Sequence, residues 1–495
     1  MFKHCGWLLA MGVLGSLPAW AEGPLASHTD LMSVYREAAA NNADLAASRA
    51  DYAARSEAVP QARAGLLPNL SAGADVNDSR QSVPVSGQDV TANRSGTSWR
   101  ATLSQPLFRA DRWFQLKAAR ASDEQAALEL SATEQNLILQ SAEAYFSVLR
   151  AQDGLATARA EENAFKYQLD QSSERFKVGL TDRTDMLQAQ ASYDTARASR
   201  LSAERQVEDA FQALETLTNR HYNALQGVVH TLPVLAPIPN DARAWVDTAA
   251  QQNLNLQATS HAIDAAEETL RQRKAGHAPT LDAVAEYQRG DNDNFQLSNP
   301  APRDGQRYGS DVTQQTIGLR LNIPLYSGGL TSSQVREASQ RLTQAQYQRE
   351  ALRRQVVENT RNLHRAVNTD VEQVQARRQS IISNQSSVEA TQIGYQVGTR
   401  NIVDVLQAQR QLFASVSDYN NSRYDYILDN LRLKQAAGTL SPQDLEALGR
   451  YLKTDYNPDK DFLPPDLESK ARELLKPQTG GPTARSAATS LPSAP

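Results

Sequence analysis

The side chains with usable chemistry gather around two short stretches of similar sequence. Residues 395–409 read YQVGTRNIVDVLQAQ, and residues 176–190 read FKVGLTDRTDMLQAQ, with seven of fifteen positions identical. Asp404 offers a carboxylate, and Gln407, one helical turn further on, offers an oxygen ligand without charge. Arg400 and Tyr395 flank one turn, while Thr184 and Asp185 hold the matching place in the other copy. That chemistry is ion pairing and cation attraction rather than bond making. For Asp404 taken alone, a solvated helix face is the default. No catalytic constellation stands beside it: HExxH, GxSxG, Walker A and cysteine-based patterns are all missing. His221, His230, His261, His277 and His364 lack ligand spacing, which leaves them surface or core roles. Asp291-Asn292-Asp293-Asn294 begins like a calcium loop, but Phe295 fills a ligand position and no glycine follows, so a plain loop is favoured. The chain is not expected to be an enzyme or to carry a cofactor.

Each copy lies near the middle of a very long helical pattern that a single glycine interrupts, Gly179 in the first and Gly398 in the second. Glycine at such a place suits a helix C-cap. Val367, Val374, Ile381, Val388 and Tyr395 fall seven apart, as do Leu130, Leu137, Ala144 and Ala151. A sustained seven-residue period predicts helices that supercoil around one another. From Trp113 to Val178 one such helix would be roughly 100 Å long at 1.5 Å per residue. The returning helices are expected to end near Leu225 and Ala437. The chain is thus an internal duplication with two long helical hairpins.

Ahead of each hairpin the period changes from helical to two. Leu70, Ala72, Ala74 and Val76 alternate with polar or small residues, and Trp99, Ala101 and Leu103 return the pattern. Leu281, Ala283, Ala285 and Tyr287, then Ile317, Leu319, Leu321 and Ile323, repeat it. Polar loops are expected over 78–95 and 290–310, and each return strand ends in proline, Pro106 or Pro324. The strands, about 9–11 residues each, have the length of a tilted membrane strand. Four strands cannot close a barrel, so at least two chains would share one; the alternative on these features is a soluble β-patch between helices.

The N-terminal residues read as a secretory signal peptide over 1–21, with Lys3, an apolar run from Trp7 to Leu17, and Ala19-Trp20-Ala21 as cleavage site. The only cysteine, Cys5, lies inside it. No later apolar window reaches transmembrane-helix length. Net charge is -5, and loss of Lys3 makes it one unit more negative, which argues against nucleic acid as a partner. The expected organisation is a first repeat over 22–240 with a β-hairpin at about 69–106 and a tip near 179. A second repeat follows over 241–450, with a hairpin at about 280–325 and a tip near 398. The tail, 451–495, is rich in Pro, Ser, Ala and Gly beyond about Asp455 and is expected to be disordered.

Up to about Arg450 the chain resembles the TolC family of outer-membrane channel-tunnels. The resemblance rests on both V-G tips, the R-N-I-V-D-V-L segment, the duplicated P-L-[FY] strand ends and I-P-L-Y-S-G-G, all in order. It implies a mainly α fold with a membrane β part. In it, duplicated coiled helical hairpins form a periplasmic tunnel, and a homotrimer shares a 12-stranded barrel in outer-membrane lipid. It also implies a periplasmic adaptor and an inner-membrane transporter of ABC, RND or MFS type as partners. By the same resemblance Asp404 forms the narrowest ring, a cation ring. Arg400 and Tyr395 tie the inner coil to Thr184 and Asp185, and Gln168 is an outer-coil glutamine of the entrance. Val178, Gly179, Leu180, Val397, Gly398 and Thr399 match the tip surface that meets the adaptor. Gln407 and Gln392 depart from the family's acids, which puts a second acidic ring in doubt. The function implied is an exit duct for efflux or type I secretion; the alternative is a structural coiled coil or adhesin without a channel.

Overall fold

The computed structural model describes residues 28–85, 87–291 and 311–467. The expected signal peptide, the calcium-like stretch from Asn292 onward and the last part of the tail lie outside them.

Three short helices open the described chain: α1 (Leu31–Asn41), α2 (Ala43–Ser56) and α3 (Ala58–Ala64). Asn42 ends the first and begins the second. Its N–H reaches the Ala38 carbonyl, while its side chain accepts from the Leu45 N–H at 2.8 Å, so the break falls at the asparagine pair. The chain then forms β1 (Asn69–Val85) and β2 (Gln88–Phe108), followed by α4 (Ala110–Lys177) and α5 (Arg183–Thr218). A two-residue strand, β3 (Gly227–Val228), precedes α6 (Ala242–Gln252) and α7 (Leu254–Ala275). Then come β4 (Thr280–Asp291), β5 (Asp311–Asn322), α8 (Leu330–Gln396) and α9 (Ile402–Ala436). Finally α10 (Pro442–Gly449), β6 (Leu452–Lys453) and α11 (Pro458–Asp461) close the described chain.

The larger sheet is antiparallel with order β1-β2-β4-β5, which leaves β1 and β5 as edges. Its register puts Leu70 opposite Leu103, Ala101 opposite Tyr287 and Ala285 opposite Ile317. Directly opposed residues share a face, so all these apolar side chains lie on one side. That side is open: Leu70 is 73% exposed and Ile317 90%. On the other side Arg100 pairs with Glu286 at 3.1 Å and Arg109 with Asp282 at 3.2 Å.

Three expectations are corrected. The polar segment 78–95 is not a loop. The β1–β2 ladder continues without a slip to Val85 opposite Gln88, and Gly87 takes a positive φ of 82° beyond it. A two-stranded ribbon satisfies its own backbone without an apolar face, so the polar composition concealed it. The strands are therefore 17 and 21 residues long in the first hairpin and 12 and 12 in the second. Helix α5 stops at Thr218 rather than near Leu225, because Asn219 adopts the left-handed conformation (φ 52°). The tail does not leave the fold at Asp455: Tyr456, Phe462, Leu463 and Leu467 are buried. Four large apolar side chains outweigh the polar composition around them.

The main core sits halfway along the long helices. Tyr145, Phe146 and Leu149 of α4 meet Tyr424, Ile427 and Leu431 of α9 and the tail residues. In α8 the seven-residue series Val367, Val374, Ile381 and Val388 is buried throughout. No helix among the described residues is long and apolar enough to cross a membrane.

Candidate functional site at the helix tips

Both long hairpins end in the same backbone device. In α4 the Leu180 N–H bonds to the Arg175 carbonyl at 2.8 Å and the Gly179 N–H to Phe176 at 3.0 Å. In α8 the Thr399 N–H bonds to Gly394 at 2.9 Å and the Gly398 N–H to Tyr395 at 3.2 Å. Each is a Schellman motif, with the glycine at φ 73° or 80°. A side chain there would be strained, which explains the repeated glycine. The return helices start on side-chain caps: Asp182 accepts from the Asp185 N–H at 3.0 Å, and Asn401 from the Asp404 N–H at 2.9 Å.

Asp404 is the third residue of α9, and its carboxylate completes a capping box by accepting from the Asn401 N–H. It also lies 3.8 Å from the Arg400 guanidinium and is a little over one-third exposed. Asp404 thus has a local task, one its counterpart Asp185 does not share, since that carboxylate accepts from the Thr181 hydroxyl instead, and Asp404 still presents charge to solvent. Arg400, Val403 and Gln407 are exposed around it, whereas Ile402, Val405, Leu406 and Gln409 turn inward. Asp404 and Gln407 therefore share a line on the open face of α9.

Within the chain Arg400 does not meet Asp185. The Asp185 carboxylate is taken by the Thr181 hydroxyl, and Arg400 folds toward Asp404 on its own helix. Tyr395, by contrast, is brought to the other hairpin. Arg175 lies over its ring at 5.0 Å, and burial, the Asp185 charge and the Thr181 and Ser172 hydroxyls surround its phenol. Burial is the largest influence and raises the phenol above its ordinary range, against the lowering effect of Arg175. Below it, Phe165, Ala196, Ile402, Val405 and Leu406 form a small core that joins the two hairpins. Gln168 is buried on α4, whereas Thr184 is exposed. Arg175 was not foreseen from the sequence; its position one turn before Gly179 was the available signal. The tip surface is apolar and open, with Val178, Leu180 and Val397 each more than two-thirds exposed around Gly179, Gly398 and Thr399.

The outer membrane efflux protein family matches residues 34–220 and 245–439. The chain is 36% identical over 446 residues to the outer membrane protein TolC of Vibrio cholerae, covering 90% of this chain and 97% of that one. It is 26% identical over 467 residues to the alkaline protease secretion protein AprF of Pseudomonas aeruginosa, covering 91% and 93%. The solved CmeC outer membrane channel of Campylobacter jejuni shares the fold. It superposes with a TM-score of 0.71 at 16% identity, over 92% of this chain and 99% of that one. The two halves of the family match enclose the two tips and the two hairpins. This chain belongs to the outer membrane efflux protein family and acts as an exit duct of the outer membrane that extends into the periplasm.

Proposed function

We propose that three copies close the four-stranded sheet into a 12-stranded barrel in outer-membrane lipid, above a helical tunnel whose entrance is the ring of tips. The observation that carries this reading is the sheet itself: two unpaired edge strands, one open apolar face and one charged face. Lipid offers no partner for edge N–H and C=O groups, so the edges must pair with other copies. The tips support docking of a periplasmic adaptor, and through it an inner-membrane transporter, because their apolar surface is open. Relatives named for efflux and for protease secretion favour small compounds and secreted proteins as cargo classes. Native mass measurement in detergent is expected to give three copies, and a stable lipid-bound monomer would defeat the architecture.

The entrance is proposed to close through Asp404, Arg400, Tyr395, Thr184, Asp185 and Gln168, with Arg400 exchanging Asp404 for a neighbouring chain's Asp185. Three Asp404 carboxylates around one axis would attract cations. Asp404→Asn removes the charge while keeping an oxygen for the capping box. It is expected to abolish block by hexamminecobalt in bilayer recordings, and Gln407→Asp to strengthen the block. Equal block of wild type and Asp404→Asn would take Asp404 out of the constriction. Arg400→Ser with Tyr395→Phe is expected to raise single-channel conductance, because both ties across the entrance are lost.

A further inference from the structure

The open chain has two unlike lateral faces, and its own repeat shows how they would meet. Helices α2 and α3 flank α4 on one side, α4 packs on α7, and α7 packs on α8. Asn42 reaches the Leu217 carbonyl at 3.3 Å and Asn253 reaches the Ala436 carbonyl at 3.0 Å, so α2 relates to the end of α5 as α7 relates to the end of α9. By that equivalence the joint between α4 and α7 inside one chain is the pattern for a joint between α8 and the next chain's α2–α3. Inside the chain this joint is marked by Glu124 of α4 and His261 of α7, 3.0 Å apart. Asn253 to Asn42 carries His261 back to Ala50, and the strand-end and tip pairs carry Glu124 forward to Leu342 or Thr343. The helices run in opposite directions, so every step up one is a step down the other.

That register sets Glu57, at the link between α2 and α3, opposite Arg336 of α8. Each stands a heptad from its marked position, hence on the same face. Both are exposed, and neither has an ion-pair partner among the described residues. Arg349, by contrast, turns toward α7 within the chain, where it donates to the Ser260 hydroxyl at 2.9 Å.

We propose that Glu57 of a second copy of this chain forms an ion pair with Arg336 of α8, and that this contact sets the register in which chains join below the barrel. The proposal rests on the trimer reading and adds to it the residues that align the seam. The test uses a cysteine-free background (Cys5→Ser). Glu57→Cys combined with Arg336→Cys, treated with a short thiol cross-linker, is expected to give covalent dimers and trimers, and Glu57→Cys with Arg365→Cys only monomers. Glu57→Arg is expected to lower the trimer-to-monomer ratio in low-salt detergent by about fivefold or more, and adding Arg336→Glu to restore it. A trimer by native mass in which the first pair does not cross-link and the reversal changes nothing overturns the ion pair and leaves the trimer standing. A monomer by native mass, with no cross-linking, overturns both.

Discussion

Ile317→Arg is expected to leave the chain folded and keep it out of the membrane. Ile317 is 90% exposed and sits midway along β5 opposite Ala285, so the chain loses no packing when the side chain changes. The effect comes from lipid alone. An arginine at the midplane of a barrel wall costs about 2–4 kcal/mol, hence about 6–12 kcal/mol for three copies. Thr316→Arg, on the opposite face beside Glu286, is the matched control and should insert normally. The amount recovered in outer membranes, set against circular dichroism of the detergent-extracted protein, reads the difference. Equal insertion of both variants would mean that the apolar face does not meet lipid.

The second large effect is expected at Asp153. This aspartate of α4 is buried; it accepts the Tyr424 hydroxyl at 2.7 Å and also the Tyr456 hydroxyl, which belongs to the tail. Asp153→Ala would remove the acceptor that both buried phenols share and leave them only each other, a loss of about 1–3 kcal/mol. The stretch 451–467 should then become sensitive to limited proteolysis while the sheet stays intact. Gly227 belongs to the same contact, since a Cβ there would run into the Tyr456 ring. Gly227→Ala should therefore release the same stretch.

A pH signature accompanies that site. Burial pushes the Asp153 carboxyl up to about 6, against the two hydroxyls that favour its charge. The folded state takes up this proton before the unfolded chain does, so Asp153 adds stability as pH falls from above 6 toward 4. Burial, helped by the charge of Arg423, lowers the nearby His230 to about 4. There the unfolded chain takes up the proton first, so His230 removes stability over much the same range. Each contribution is about 3 kcal/mol, and they oppose. His230→Gln should therefore gain stability relative to wild type as pH falls from 6.5 to 4, and Asp153→Asn should lose it. Thermal unfolding at several pH values measures both, and parallel curves for the two variants would contradict this assignment.

How much of this could be read from the residues differs by region. The change of period at Pro68 and Pro279, the heptads ending at Tyr395 and the glycines at 179 and 398 are local patterns, and they show in the chain itself. The Asp153 contact is not local: its partners are 271 and 303 residues away. What the sequence did carry was one charged side chain on an otherwise apolar stripe around Leu149 and Ala156. Likewise the tip was legible as a turn, because glycine must serve a positive φ. Arg175 on Tyr395 was hidden, because it depends on how two hairpins lean together. The capping box of Asn401 and Asp404 could have been read from its spacing, and it tempers any inference from the repeated aspartate alone.

In the proposed trimer the first hairpin would shape the outer mouth. Pairing of β2 with β4 begins at Ser98, yet β1 and β2 stay paired for a further ten positions, from Val76 opposite Thr97 to Val85 opposite Gln88. At about 3.3 Å per residue the ribbon runs roughly 30 Å past the last described pairing of β2 with β4. Three copies would carry three such prongs, a crown around the rim rather than a flat lip. A crown of this kind is what an antibody, a phage fibre or a neighbouring cell would touch first. Because the described ribbon pairs strand to strand within the hairpin, peptide grafted at Gly87 would be displayed outside without disturbing the wall below.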